Sequence, residues 1–415
     1  MRLFAELERR YRFARRGWRY VFALVDALGR TAMRLVGRRA NAQSSAEEPR
    51  RILLVQLDHL GDAVLTTSLL PALRHRFPQA TIDVLAAPWN SEVFAARREV
   101  ARIHLSRVNR FARSAARLRW PFSVAYWSLK LRERKYDLAV DVRGEFSVAL
   151  MLFGAGIPRR VGWNCAGGGF LLTQSVPFER GRPETDSRRE ILRPLGLGAA
   201  AAARAVPRWE PKAESESFVR HMLGEFARDE RPLFVFHVGA GTPAKTWPIE
   251  HWRELLGRAI LDFDARVVLI GGPADAAAAR EVTQDMFWPN VMDWTDRLTL
   301  DQLAALCRRS ALFVGGDSGP AHLAAAVGAK VLVLFSGTND PAQWRPVGDD
   351  VTALRHEVAC SPCYAVRCPL RTHPCLRDLT PTDVVDAIRR LTNDPIAIAA
   401  PHWTGEGRRS RRNQR

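Results

Sequence analysis

Residues Phe313–Phe335 read FVGGDSGPAHLAAAVGAKVLVLF. An apolar run stops at two glycines and gives way to an Asp-Ser-Gly-Pro turn. Small apolar residues then recur at helical spacing, and a second wholly apolar run follows Gly-Ala-Lys. Neither run alternates with polar residues, which is the pattern of parallel strands buried on both faces and joined by a crossover helix. This unit decides the class as α/β.

The same rhythm extends outward. In the first half the pattern predicts strands at 52–57, 81–86, 102–105, 138–142 and 160–163, and a helix over 63–77. In the second it predicts strands at 233–238, 266–270, 312–314 and 331–335, and helices over 249–263, 300–309 and 321–327. Between the halves the chain reads GLGAAAAARAVPRWEP from Gly196 to Pro211, low in complexity and punctuated by proline, the composition of a linker. At 415 residues the chain exceeds one ordinary core. The expected layout is a basic N-terminal extension (1–50), an acceptor-side Rossmann-like domain (51–205), a second Rossmann-like domain (206–395) and a basic tail (396–415). Ligands of such sheets bind beyond the carboxyl ends of the strands, hence in a cleft between the halves.

The net charge of +18 is unevenly placed: residues 1–40 contribute +8 and residues 401–415 contribute +4. Charge held in tails rather than on a folded face argues against nucleic acid as the partner. Residues 1–40 mix Arg with Phe, Trp, Tyr and Leu, and Asp26 breaks their longest apolar stretch, so no segment there can span a bilayer. Arg34, Arg38 and Arg39 separate that stretch from Ala40-Asn41-Ala42, which argues against a secretory signal. Two readings stay open: a basic amphipathic helix on an anionic membrane surface, or a basic extension without fixed structure.

Three strand-to-helix turns carry candidate chemistry. In GGDSGPAH, glycines allow close backbone approach and the free amides of a helix start attract anions such as a diphosphate. Asp317, Ser318, Gly319 and His322 are the candidates, His322 lying one helical turn from Ser318. The plainer alternative is that Asp317 or Ser318 caps the helix and His322 is packed. In FHVGAGTPAKTWPIEHW, Gly239 and Gly241 permit a tight turn and Lys245 offers a point charge to phosphate, though neither a P-loop nor a dinucleotide fingerprint is present. Here the alternative is an ordinary loop with a solvated lysine. The first-half turn, LVQLDHLGDAVL at Leu54–Leu65, offers carboxylates instead. Asp62 either caps the helix or serves as general base to a hydroxyl, with Asp58 and His59 as competing acceptor-side groups and Gly61 as a hinge.

Together L-x-x-L-G-D, GAGTPAKTWP-x-EHW, GGDSGPAHLAAAVG, FSGTNDPAQW-x-P and the C-S-P-C-Y…C-P…C-L-R-D-L segment resemble glycosyltransferase family nine, the ADP-heptose:lipopolysaccharide heptosyltransferases, from about Arg51 to Leu391. The resemblance implies a GT-B fold, two Rossmann-like doubly wound domains facing a central cleft. It also implies inverting transfer of heptose, without a metal or other cofactor, from the nucleotide-sugar donor ADP-heptose to a lipid-linked glycan, the lipopolysaccharide inner core. The implied place is the cytoplasmic face of the inner membrane, as a peripheral protein. Carried over, the catalytic base falls on Asp62, the phosphate lysine on Lys245, the second phosphate turn on Asp317, Ser318, Gly319 and His322, and a small hydroxyl position near the diphosphate on Thr242. An acidic residue expected after the next strand is displaced to Asp275. The alternatives are transfer of another activated sugar, or a catalytically silent, membrane-tethered nucleotide-binding protein.

Asp262-Phe263-Asp264 forms a D-x-D, the pattern of a metal-dependent transferase, but at the amino edge of the sheet, and reads as a solvated loop. Cys360, Cys363, Cys368 and Cys375 have the spacing C-x2-C-x4-C-x6-C, shorter than that of usual zinc fingers. The expectation is a structural loop near the cleft rather than a zinc site.

Overall fold

The computed structural model describes residues 11, 16–35, 48–95, 97–106, 120–179, 181–197, 206–227, 230–284 and 289–392. Two six-stranded sheets dominate, and every strand pair in them is parallel. The first comprises β1 (Arg51–Gln56), β2 (Thr81–Ala86), β3 (Val100–Leu105), β4 (Leu138–Asp141), β5 (Arg159–Trp163) and β6 (Gln174–Val176), in the order β3-β2-β1-β4-β5-β6. The second comprises β7 (Leu233–His237), β8 (Arg266–Ile270), β9 (Val291–Asp293), β10 (Leu312–Gly316), β11 (Val331–Phe335) and β12 (Val351–Arg355), in the order β12-β11-β10-β7-β8-β9. Renumbered within its own half, each sheet runs 3-2-1-4-5-6, the doubly wound order whose switch point lies between its first and fourth strands.

Burial explains the apolar runs. In β1, Ile52 and Leu54 enter one core cluster, while Leu53 and Val55 enter another on the opposite face. Successive side chains of a strand point to opposite sides, so a strand covered on both faces must be apolar throughout.

Three local expectations are corrected. The helix expected over 63–77 is two helices, Leu60–Thr67 and Leu69–Arg76, broken at Ser68. Pro71 cannot donate to the preceding turn, and the Thr67 and Ser68 hydroxyls donate to the Val64 and Leu65 carbonyls instead, which ends the first helix. Strand β10 runs two residues beyond 314 because Gly315 and Gly316 still pair with Val333 and Leu334. The helix after it begins at Gly319 rather than 321. The short strands β6 and β9 and the edge strand β12, which alternate weakly or carry polar residues, were not foreseen.

The N-terminal helix, Arg16–Leu35, docks on the first half. Asp26 is wholly buried and accepts from the Gly168 N–H at 2.7 Å and the Tyr11 hydroxyl at 2.8 Å, while Phe22 packs on Phe146 with ring centroids 5.9 Å apart. Among the described residues no helix is long and apolar enough to cross a membrane. The expected boundary at 205 and 206 adjoins residues 198–205, and the basic tail at 396–415 falls within 393–415; both stretches lie outside the described residues. Just after the first of them, Trp209 is buried against the second half, donating from its indole N–H to Asp301 at 2.9 Å.

The halves meet helix to helix. The Leu60–Thr67 helix packs against the Gly319–Ala326 helix, and apolar residues of both belong to one core cluster. A Cβ on Gly61 would lie 2.8 Å from His322 Cδ2, and one on Gly319 would lie 2.6 Å from Leu60 Cβ, so only glycine permits this approach.

Candidate active site

The turns singled out from the sequence all stand at switch points. In the second sheet the loop after β7 carries Lys245 and the turn after β10 carries Asp317, and these side chains pair across the switch point: Lys245 Nζ donates to Asp317 Oδ2 at 2.6 Å and to the Asp317 carbonyl at 3.3 Å. Asn339 Nδ2 donates to the same carboxylate oxygen at 2.6 Å. The lysine is thereby held beside the start of the Gly319–Ala326 helix, where free amides concentrate positive potential. Asp317, of the same charge as a phosphate, serves in this arrangement as the lysine's anchor.

Ser318 occupies the N-cap position of that helix but makes no side-chain cap bond. Its hydroxyl lies 3.1 Å from His237 Nδ1 and donates to the Gly316 carbonyl at 3.2 Å. Gly239 lies over Asp275, whose carboxylate would be 2.1 Å from a Cβ there, and Asp275 accepts from the Gly272 N–H at 2.8 Å. Burial works to raise the Asp275 pKa, but His237 and the Gly272 N–H outweigh it and hold the group below the usual carboxylate range. Asp275 therefore does reach the edge of the second-half site, by way of a 3-10 turn, Pro273–Asp275, that displaces it in sequence. Thr242 Oγ1 is buried without a hydrogen-bond partner among the described residues, a polar atom left for a ligand. Gly241 is exposed on the same loop.

His322 is packed, as the plainer alternative had it. Burial pushes its pKa down to about 4 against the pull of the Asp317 and Asp62 carboxylates, so the ring is neutral at pH 7. Its Nδ1 is buried without a partner among the described residues, and its ring rests on Gly61 of the opposite half.

In the first sheet the corresponding pair is Asp58 and Arg143. Asp58 follows β1, Arg143 follows β4, and they form an ion pair across the switch point; Arg143 also pairs with Glu145 at 3.0 Å. The Asp58 carbonyl accepts from Trp89 Nε1 at 2.9 Å and Asn90 Nδ2 at 2.7 Å, so this aspartate organises the strand mouth. His59 is exposed at the N-cap and makes no cap bond.

Asp62 lies in the first turn of its helix, but its carboxylate is not spent on a cap. Oδ1 accepts from Arg188 Nη2 at 2.6 Å. Arg188 is nearly sealed from solvent and donates also to Glu184 Oε2 at 2.8 Å and to Thr66 Oγ1 at 3.2 Å. Glu184 Oε1 accepts from Gln343 Nε2 of the second half at 2.9 Å. None of Arg143, Arg188, Glu184, Asn339 and Gln343 was singled out from the sequence. Asn339 and Gln343 lie in the FSGTNDPAQW motif without a role assigned to them, and the i, i+4 spacing of Glu184 and Arg188 hinted at a pair.

The cysteine loop covers the second-half turns. The Ala244 N–H donates to the Val366 carbonyl at 3.1 Å, the Cys363 N–H to the Gly337 carbonyl at 2.9 Å and the Tyr364 N–H to the Thr338 carbonyl at 3.0 Å. Cys375 is buried, while Cys360 is exposed and Cys363 and Cys368 half-buried. Among the described residues no three His, Cys, Asp or Glu side chains are placed to hold a metal ion. Asp262 and Asp264 sit at the amino end of β8, paired with Arg258 and Arg389 and with Arg231 respectively.

The sequence profile of Glycosyltransferase family 9 (heptosyltransferase) matches residues 127–373. Lipopolysaccharide heptosyltransferase 2 of Escherichia coli K12 is 27% identical over 351 residues, covering 82% of this chain and 98% of that protein. The solved structure of E. coli ADP-heptose lps heptosyltransferase II superposes with a TM-score of 0.66 at 24% identity, covering 84% of this chain and 100% of that one. The glycosyl transferase family 9 protein of Veillonella parvula superposes with a TM-score of 0.69 at 19% identity, covering 83% and 98%. With two doubly wound sheets, paired switch points facing one another and a family profile matching more than half of its length, the chain belongs to glycosyltransferase family 9 and is a glycosyltransferase of GT-B fold.

Proposed function

We propose that this enzyme transfers a heptosyl group from ADP-heptose to a lipopolysaccharide inner-core acceptor, with inversion and without a metal ion. The observation that carries the reading is the packing of the helix that bears Asp62 against the Gly319 helix start, beside which Asp317 holds Lys245. A sugar diphosphate lying on the second-half turns would present its anomeric carbon toward the first half. The acceptor hydroxyl gives its proton to Asp62 as its oxygen bonds to that carbon, and the bond to the diphosphate breaks with its electron pair leaving on phosphate oxygen. Lys245 and the helix-start amides take up the charge that develops there. Thr242 Oγ1 serves as a hydroxyl contact near the diphosphate, and the Asp58 and Arg143 pair shapes the acceptor side. The family, and the likeness to the lipopolysaccharide heptosyltransferase of E. coli, support the choice of sugar and acceptor.

The acceptor is lipid-linked, and the Arg16–Leu35 helix is the element suited to bring it within reach. Opposite its docked face it exposes Val21, Leu24, Leu28 and Leu35, an apolar stripe on an arginine-rich segment, which supports peripheral binding to the cytoplasmic leaflet.

The test has two arms. Scanning fluorimetry against ADP, GDP, UDP and their sugars is expected to raise the melting temperature with ADP and ADP-heptose. A shift with UDP or GDP alone overturns the choice of donor. Asp62→Asn is expected to lower kcat by about 10² to 10⁴-fold with the ADP shift kept; undiminished turnover removes Asp62 as the base.

A further inference from the structure

The carboxylate assigned as the base is held by a chain of buried groups that starts in the other half of the molecule. Gln343, on the short helix Pro341–Trp344 of the second half, donates from Nε2 to Glu184 Oε1 at 2.9 Å. Glu184 Oε2 accepts from Arg188 Nη1 at 2.8 Å, and Arg188 Nη2 donates to Asp62 Oδ1 at 2.6 Å. The side chains of Glu184 and Arg188 are only 1% and 2% exposed, whereas that of Asp62 is 15% exposed. The guanidinium is also fixed by Thr66 Oγ1, one turn on from Asp62 along the same helix. One carboxylate oxygen is thus fully engaged by the protein, and Oδ2 is the oxygen left for a proton.

We infer that Arg188 is a positioning residue for Asp62, and that the Gln343–Glu184 contact makes its placement depend on the second half being seated against the first. The inference rests on Asp62 being the base. The planar guanidinium suits the task because its fork grips two carboxylates at once, turning an order imposed on Glu184 into an order imposed on Asp62. The other charged and titratable groups near Asp62 are His322 on the facing helix, Lys245 and Asp317 behind it, and His59 on its own turn; the ring of His322 is neutral over the working range. Among the described residues, it is Arg188 that donates a hydrogen bond to the Asp62 carboxylate. Closure of the donor-side half and alignment of the acceptor-side base are, on this arrangement, one event.

The experiment compares Arg188→Lys, Arg188→Met/Glu184→Gln and Gln343→Ala with Asp62→Asn, each checked for fold by circular dichroism and for ADP binding by melting shift. The double variant removes both charges together, because deleting one partner of a buried pair leaves the other uncompensated and can unfold a protein. Expected are a loss in kcat of about 10²-fold for the double variant with donor KM little changed, and partial recovery in Arg188→Lys. Because the guanidinium orients the base rather than binding substrate, the loss should fall on kcat and not on KM. A merely structural role would neither separate kcat from KM in this way nor be rescued by lysine. Gln343→Ala, which removes neither charge, is expected to lower kcat by about tenfold through loss of one hydrogen bond to the Glu184 carboxylate. A folded double variant with kcat within about threefold of wild type, while Asp62→Asn is inactive, overturns the positioning role alone. An active Asp62→Asn overturns the base, and with it this inference. If the double variant fails to fold, Gln343→Ala decides, and unchanged kcat there overturns the link between the halves.

Discussion

Asp141 and His322 are both buried, and their proton affinities are moved in the two directions that burial dictates. Burial raises the Asp141 carboxyl to about 7, despite the Arg143 and Gly144 N–H groups that favour its ionised form, and lowers the His322 imidazole to about 4. Each group is kept neutral where an unfolded chain would ionise it. For Asp141 the folded state holds a proton that the unfolded chain releases, so stability falls as pH rises from about 4 to 7. For His322 the unfolded chain takes up a proton that the folded state refuses, so stability falls as pH drops from about 6.5 to 4. Asp141→Asn keeps an oxygen to accept from the Arg143 N–H, a bond of 3.0 Å, and removes the ionisation. It is expected to raise unfolding free energy at pH 8 by on the order of 3 kcal/mol and to change it little at pH 4. Urea unfolding at the two pH values checks this, and an equal change at both would assign the effect to packing. The identities of these residues were plain in the sequence. Their protonation was not, because desolvation is set by the neighbours that enclose a group.

At the scale of an element, the Arg16–Leu35 helix shows how one residue type can be read two ways. Asp26 interrupts an apolar stretch, and in the sequence that meant only that the segment could not span a bilayer. In the fold it is the latch that receives the Gly168 N–H and the Tyr11 hydroxyl. A sequence cannot separate a solvated aspartate from a buried one whose backbone partner lies 142 residues away. The face opposite the latch was legible, since Val21, Leu24, Leu28 and Leu35 recur at intervals of three, four and seven. The helix Trp120–Arg132 also exposes Phe122, Tyr126 and Leu129 at similar spacing. Leu24→Asp/Leu28→Asp is expected to weaken binding to vesicles containing anionic lipid by at least about 10²-fold, since each leucine is worth roughly 1.5–3 kcal/mol on burial. Turnover on a water-soluble acceptor fragment should be kept. Flotation of the double variant at the wild-type level would remove this helix as the membrane contact.

For the whole molecule the decisive feature is the contact between two helix starts, Leu60–Thr67 and Gly319–Ala326, where glycine of each half meets a side chain of the other. Gly319→Val puts methyl groups where Leu60 already sits. Overpacking of this kind costs about 1–3 kcal/mol, which the halves can relieve by separating. The expected outcome is a larger radius of gyration by small-angle scattering with turnover lowered by about tenfold or more. Unchanged scattering and turnover would show that the halves work without this contact. Hydrophobic period and turn residues are local properties, so the sequence alone determined the α/β class, the main strands of both sheets, the turns that carry Asp62, Lys245 and Asp317, and the family they resemble. The tertiary structure decided which of these groups face one another and which are already engaged. Arg188 reaches Asp62 across 126 residues and Gln343 reaches Glu184 across 159. Such pairings follow from how two sheets order their strands and seat against each other, and no window of one chain records that.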